Sequence, residues 1–295
     1  ENVFALGPLC GVSDPDVVLE ASRRCDELGI DTISTGGTIA FAMECVEEGL
    51  LAEPWLRFGD GAALLRAVDE IGSRTGVGDL LAEGSRRAAA EIGGGCQRFA
   101  AHVKGLELPG YEPRTLQTMA LGLAVNPRGA DHNRSGAYEA DLSGEVDRLT
   151  GGDAHVEAAI RSEDRAAVMD SLILCKFLRG VFTEHYREWA ELLSSVTGWE
   201  VTGEELEVTA GRIALAKRLY NVRAGWSEGD DWLPPRFLDE DLSLRSGRTA
   251  SLPAERLRSM IDCYYRRRGL DVDGTPPPAL LAALGLASTG GRGGA

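Results

Sequence analysis

Apolar and polar positions follow a helical period along most of this chain. Val17, Val18, Ala21, Cys25 and Leu28 form one stripe, with Asp14 placed to cap, Pro15 suited to the first helical position and Gly29 as a left-handed stop. A second stripe, Ile39, Ala40, Met43 and Val46, predicts a helix over about 38–48 that ends at Gly49. Residues 31–37 then read as a short loop whose hydroxyls and amides face a ligand, unless Ser34 or Thr35 caps the next helix. The helix–glycine pattern returns at 60–72 and 78–92, and further helices are expected at about 116–124, 163–179, 184–195, 203–220 and 253–267. Strand-like alternation is scarce.

Residues 104–114 hold Gly105, Pro109, Gly110 and Pro113, so they cannot be helix interior and read as the crossover between two domains, 1–103 and 104–295. The stretch 126–134 is polar and turn-rich, and acids and glycines run on from it to residue 153. The tail, 288–295, is of low complexity and is expected to be disordered. The pattern predicts an all-α fold of two packed helical domains.

Two hexapeptides far apart in the chain share one plan. Residues 26–31 (Asp-Glu-Leu-Gly-Ile-Asp) and 170–175 (Asp-Ser-Leu-Ile-Leu-Cys) each place an aspartate, three residues, an aliphatic residue and then a carboxylate or thiol. Two acceptor-bearing turns of one design suit a cofactor with two similar donor-rich halves, and the cysteine suits a neighbouring metal centre. The alternative is coincidence in a helical, acid-rich chain.

At 295 residues the chain is long enough for two domains. Its net charge of −15 disfavours nucleic acid and anionic membranes as partners. No apolar run reaches the ~18 residues of a spanning helix and no signal segment opens the chain, so a soluble, cytoplasmic protein is expected. Glu1 leads directly into an apolar stretch, as though from the middle of something longer. The six cysteines include no C-x-x-C pair, which excludes a disulfide framework and a self-contained zinc site. Cys10 and Cys25 read as structural, Cys25 because it lies in the apolar stripe of its helix.

Several blocks, in order, resemble the aldehyde ferredoxin oxidoreductase family: 5–10, 25–34, 78–84, 104–109, 128–132, 170–177, 220–223 and 264–276. The resemblance covers nearly the whole chain, but only the two helical C-terminal domains of that family. It implies a tungsten (or molybdenum) ion between two pterins beside a [4Fe–4S] cluster. It also implies oxidation of an aldehyde by water to the carboxylic acid, with electrons passed to ferredoxin. The same scaffold could instead reduce a carboxylate or an aromatic thioester within a larger complex, and a cofactor-free helical assembly module is the non-enzymatic alternative. The partners implied are ferredoxin, a small aldehyde and the missing N-terminal domain of the same protein, with a homodimer left open.

The resemblance assigns roles residue by residue. Asp26, Gly29, Asp31 and Thr32 fall in the motif that holds one pterin, with Ile30 in place of the usual leucine. Asp170 and Leu174 fall in the motif for the other, where Ile173 replaces a glycine, a costly exchange if the turn is left-handed. Cys175 matches the fourth cluster ligand; the segment with the other three would precede Glu1 and is not in this sequence. Glu1 and His132 match the catalytic pair lining the substrate pocket. A glutamate can take a proton from water while a histidine donates to the carbonyl oxygen. The three aspartates are expected to converge on one cavity at the seam of the two domains, with Cys175 and His132 on its walls. The arginines 266–268 are either a local patch for ferredoxin or a solvated helix face.

Overall fold

Aspartates set the first helices. Asp14 accepts from the Asp16 amide at 3.0 Å to open α2 (Pro15–Leu28), and Asp60 accepts from Ala62 and Ala63 to open α4 (Gly61–Ser73). α1 (Asn2–Leu6) precedes them, and between α2 and α4 runs α3 (Thr32–Glu47). The computed structural model describes residues 1–178 and 180–286; the expected disorder of 288–295 lies outside them.

α3 overturns the loop expected at 31–37. Asp31 is its N-cap, accepting from the Ser34 amide at 2.7 Å, and Thr32 and Thr35 are buried rather than presented to a ligand. Gly36 lies in the helix for a packing reason. A Cβ there would fall 2.3 Å from the Ala5 carbonyl oxygen, so the glycine lets α1 lie directly on α3. The helix expected over 78–92 breaks into α5 (Gly78–Leu81) and α6 (Ser85–Ile92), because Gly84 takes φ 81°. The 104–114 segment is indeed not helical: β1 (His102–Val103) and β2 (Leu106–Glu107) pair as a minimal antiparallel hairpin.

Beyond it, α7 (Gln117–Val125) is apolar around most of its circumference and every one of its residues is buried. α8 (His132–Ser135) and α9 (Tyr138–Ser143) follow, then α10 (Asp153–Ser171), which packs against α7, α8 and α12 (Gly203–Arg223). α10 starts ten residues before the helix expected at 163 and stops well before 179. α11 (His185–Thr197), α13 (Pro235–Asp239), the short pair β3 (Leu242–Ser243) and β4 (Thr249–Ala250), α14 (Ala254–Arg267) and α15 (Pro278–Ala283) complete the described chain. The fold is mainly helical.

Buried apolar residues form one cluster within 6–100, a second within 103–265 and a third joining the end of α10 to α11 and α12. Cys10 and Cys25 are fully buried in the first, and burial pushes the Cys25 thiol up to about 11, as befits a packing residue. The second cluster encloses a charge. Asp231 is inaccessible to solvent and takes Lys104 Nζ at 2.7 Å, Arg218 Nη2 at 2.7 Å, the Tyr265 hydroxyl at 2.9 Å and Trp226 Nε1 at 3.0 Å. Its two cations also cap α7, Lys104 donating to Ala124 O and Arg218 to Val125 O. No described helix is long and apolar enough to cross a membrane.

Candidate active site

The two hexapeptides end their helices with one backbone pattern. The Gly29 amide bonds to Asp26 O at 3.2 Å and the Ile30 amide to Cys25 O at 3.0 Å; in the second, Ile173 bonds to Asp170 O at 3.2 Å and Leu174 to Met169 O at 2.9 Å. The residues at the turn have φ 69° at Gly29 and φ 57° at Ile173. The exchange of glycine for isoleucine therefore changes the cost of the turn and not its shape. Ile173 is 92% exposed, so no packing offsets its left-handed backbone. Ile173→Gly is accordingly expected to stabilise the protein by about 0.5–1 kcal/mol, the strain relieved less the entropy glycine loses on folding, as read by urea denaturation.

Glu1 and His132, 131 positions apart in sequence, meet at one turn that the sequence did not flag. The Tyr111 ring stacks on the His132 imidazole with centroids 5.4 Å apart and on Tyr138 at 4.6 Å, and the Glu1 carboxylate is held at the amide of the preceding residue, Gly110. Burial first, and then the neighbouring Tyr138 and Glu1, hold the Tyr111 hydroxyl above the usual tyrosine range, so it stays neutral at physiological pH. Glu1 is solvent-exposed, and its Oε2 accepts from the Gly110 amide at 3.0 Å. Tyr111 lay hidden in the stretch taken for a connector; its only sequence signal is a single aromatic between Gly110 and Glu112.

Contacts continue from this pair towards both hexapeptides. On one side Thr32 donates to Asn2 Oδ1 at 2.9 Å, which joins the end of the first motif to the residue after Glu1. On the other, His132 opens α8, capped by Asp131, which accepts from the Asn133 and Arg134 amides. Burial pushes the Asp131 carboxyl up, but the Arg128 guanidinium and those amides outweigh it and hold it below the usual carboxylate range. From the same short helix Arg134 pairs with Asp170, whose other oxygen meets Lys176 Nζ at 3.0 Å. Lys217 is close enough to Arg134 that burial, and next that guanidinium, depress its ammonium below the usual lysine range. Asp170 thus sits among cations.

Not every candidate joins this line. Asp26 is exposed on the last turn of α2, and Cys175 is exposed just past the second turn. Asp31 lines a cavity of about 330 Å³ with Ile30, Ser34, Thr38, Arg74 and Gly84, and that cavity includes neither Asp26 nor Asp170. Leu174 is half-buried against the third core and serves packing in addition to any ligand. The 266–268 arginines do not form an open basic patch: Arg268 is buried between Glu163 and Asp164, and Arg267 pairs with Glu157 at 2.8 Å.

These donor sets fit a pterin better than they fit a cluster. Asp26 and Asp31 are accessible carboxylates, acceptors only, and Asp31 spends one oxygen on its own helix cap. Asp170 keeps lone pairs beyond its two cations. Such groups match a ligand edge rich in N–H donors. A [4Fe–4S] cluster takes four ligands, whereas Cys175 is the one thiol here outside the buried cores, and among the described residues no group of three His, Cys, Asp or Glu is placed to hold a metal ion.

The chain belongs to the aldehyde ferredoxin oxidoreductase family: the family segment described as "Aldehyde ferredoxin oxidoreductase, domains 2 & 3" matches residues 1–286. It is 37% identical over 298 residues to the tungsten-containing aldehyde ferredoxin oxidoreductase of Pyrococcus furiosus and 36% identical to that of Thermococcus kodakarensis, covering 97% of this chain and 48% of each relative. The chain thus spans about half the length of these relatives. Among solved structures, the active-site complex of benzoyl coenzyme A reductase with 1,5-dienoyl-CoA superposes with a TM-score of 0.75 at 20% identity, covering 97% of this chain and 48% of the other, a likeness of fold.

Proposed function

We propose that this chain supplies the two helical domains, 1–103 and 104–295, of a tungsten (or molybdenum) bis-pterin oxidoreductase. That enzyme converts an aldehyde and water to a carboxylic acid and passes two electrons through a [4Fe–4S] cluster to ferredoxin. The observation that carries the reading is the approach of Glu1 and His132 to one turn, Glu1 through the Gly110 amide and His132 through the Tyr111 ring, with contacts leading on to both motif turns.

When bound, the bis-pterin metal centre supplies the two-electron oxidation. Asp26 and Asp31 accept hydrogen bonds from one pterin, with Gly29 and Thr32 shaping that turn, and Asp170 with Leu174 serves the other. Cys175 would be a single ligand to such a cluster, of the four it takes. Glu1 takes a proton from the attacking water, and His132 donates to the carbonyl oxygen as negative charge grows there. The Gly110 amide, donating to Glu1, fixes the carboxylate, while the Tyr111 ring fixes the plane of the imidazole.

The test is aldehyde-dependent reduction of ferredoxin by the full-length gene product, purified without oxygen. One carboxylic acid should form for every two electrons delivered. Ferredoxin reduction without acid, or no turnover of any aldehyde by metal-loaded protein, would contradict the reading.

A further inference from the structure

The sequence blocks 104–109 and 220–223 have no part in the site described so far, yet side chains from both grip the chain that leads to His132. Lys104 donates to Ala124 O at 2.6 Å, Arg218 to Val125 O at 3.3 Å and Asn221 Nδ2 to Pro127 O at 2.6 Å. Three of the four carbonyls from 124 to 127 are thus held from outside, where the end of α7 would otherwise leave them open. Arg218 and Asn221 stand three positions apart on α12, so one face of that helix makes two of the three bonds. Lys104 and Arg218 are also committed to Asp231, whereas the Asn221 side chain has this one hydrogen bond among the described residues.

Between Pro127 and His132 the chain closes on itself. Asn126 is almost fully buried; its Oδ1 accepts from the Arg128 amide at 2.9 Å and its Nδ2 donates to Asp131 O at 3.2 Å, which ties the turn end to end. The Gly129 amide bonds back to Asn126 O at 3.1 Å. Gly129 has φ 101°, and a Cβ there would fall 2.3 Å from Val103 O, so the turn lies against the β1 backbone. Asp131, its last residue, caps the helix on which His132 comes first. A turn cross-bonded in this way moves as a unit, and a displacement at Pro127 carries the imidazole with it.

We propose that Asn221 is a positioning residue for His132, setting through the Pro127 carbonyl where the imidazole stands against the Tyr111 ring. The role rests on the aldehyde-oxidising reading, in which His132 is the donor. Its leverage comes from geometry, since a misplacement of about 1 Å at a reacting group can cost ~10²-fold in rate.

Labelling of the full-length protein with diethyl pyrocarbonate, mapped by mass spectrometry, reads the setting of the imidazole without turnover. Asn221→Ala, and Asn221→Leu, which keeps the bulk and drops the donor, should each raise the labelling rate at His132 about fivefold, the effect of one lost hydrogen bond on a local opening. His155 and His185, on other helices, should label as in wild type. Aldehyde turnover should fall about tenfold with KM within about twofold, and tungsten content should stay unchanged. In the His132→Ala background Asn221→Ala should cost nothing further, because the group it positions is gone. Unchanged labelling at His132, faster labelling at all three histidines, or an equal loss of turnover with and without the imidazole overturns the proposal. A wild-type protein that oxidises no aldehyde would refute the oxidation reading alone, and the labelling would still decide whether Asn221 sets His132.

Discussion

Replacing His132 by alanine in the full-length protein is expected to lower aldehyde turnover by about 10²-fold or more while tungsten and pterin content stay at the wild-type level. The magnitude is that of losing one positioned hydrogen-bond donor to a developing oxyanion. The separation of turnover from cofactor content follows from where His132 sits. It stacks on Tyr111 at the side of Glu1, and the groups proposed to grip the pterins are carboxylates on other helices. Turnover and metal content measured on the same preparation check both halves of this expectation. Loss of metal together with activity would move His132 from the chemistry to cofactor support.

The second large effect concerns stability. Asp231→Ala removes a buried carboxylate from between Lys104 and Arg218 and leaves both cations in the second core without their partner. A loss of about 3–5 kcal/mol is expected, the scale on which breaking a buried ion pair from one side destabilises proteins. The helix it supports is α7, whose last carbonyls Lys104 and Arg218 hold. Burial alone would raise the Asp231 carboxyl, but Lys104 and Arg218 outweigh it and hold it below the usual carboxylate range. A depressed folded-state value contributes stability that is complete above the unfolded value of about 4 and is lost as pH falls through the folded one. The deficit of the variant should therefore be full at neutral pH and narrow below about pH 4, as guanidinium midpoints at several pH values would show. Asp231→Asn, which keeps the acceptor and drops the charge, should fall between the two. A deficit independent of pH would mean that packing, and not the ion pair, holds this core.

Much of the fold was legible because the chain marks its helix ends. Asp14, Pro15 and Gly29 bound α2 as the sequence predicts, and the stripe between them buries Val18, Ala21 and Cys25. The second motif was harder to place for one physical reason. The stop at Ile173 has the geometry of the stop at Gly29 but not its residue, so a reading that waits for glycine carries α10 past its end. The opposite error came at 31–37, read as a loop because it lies between two expected helix ends, although it opens α3 and Gly36 is there to admit the α1 backbone. A close approach between two helices leaves no trace in the periodicity of either. Tyr111 was missed on similar grounds. It owes its place to a turn between two prolines, and that turn's partners Glu1 and His132 are remote in sequence.

The central claim, that the twin turns hold two halves of one cofactor, is tested most directly by tungsten and pterin content in full-length Asp26→Ala, Asp170→Ala and the double variant. Removing either carboxylate leaves ligand donors unpaired, a penalty of roughly 1–3 kcal/mol, more where charge assistance is lost. Because both pterins would grip the same metal ion, the two losses should be coupled, and the double variant should depart clearly from the sum of the single ones. The account predicts reduced occupancy in each single variant and that departure in the double. Full occupancy in both single variants, in protein that is folded and otherwise normal, would contradict it.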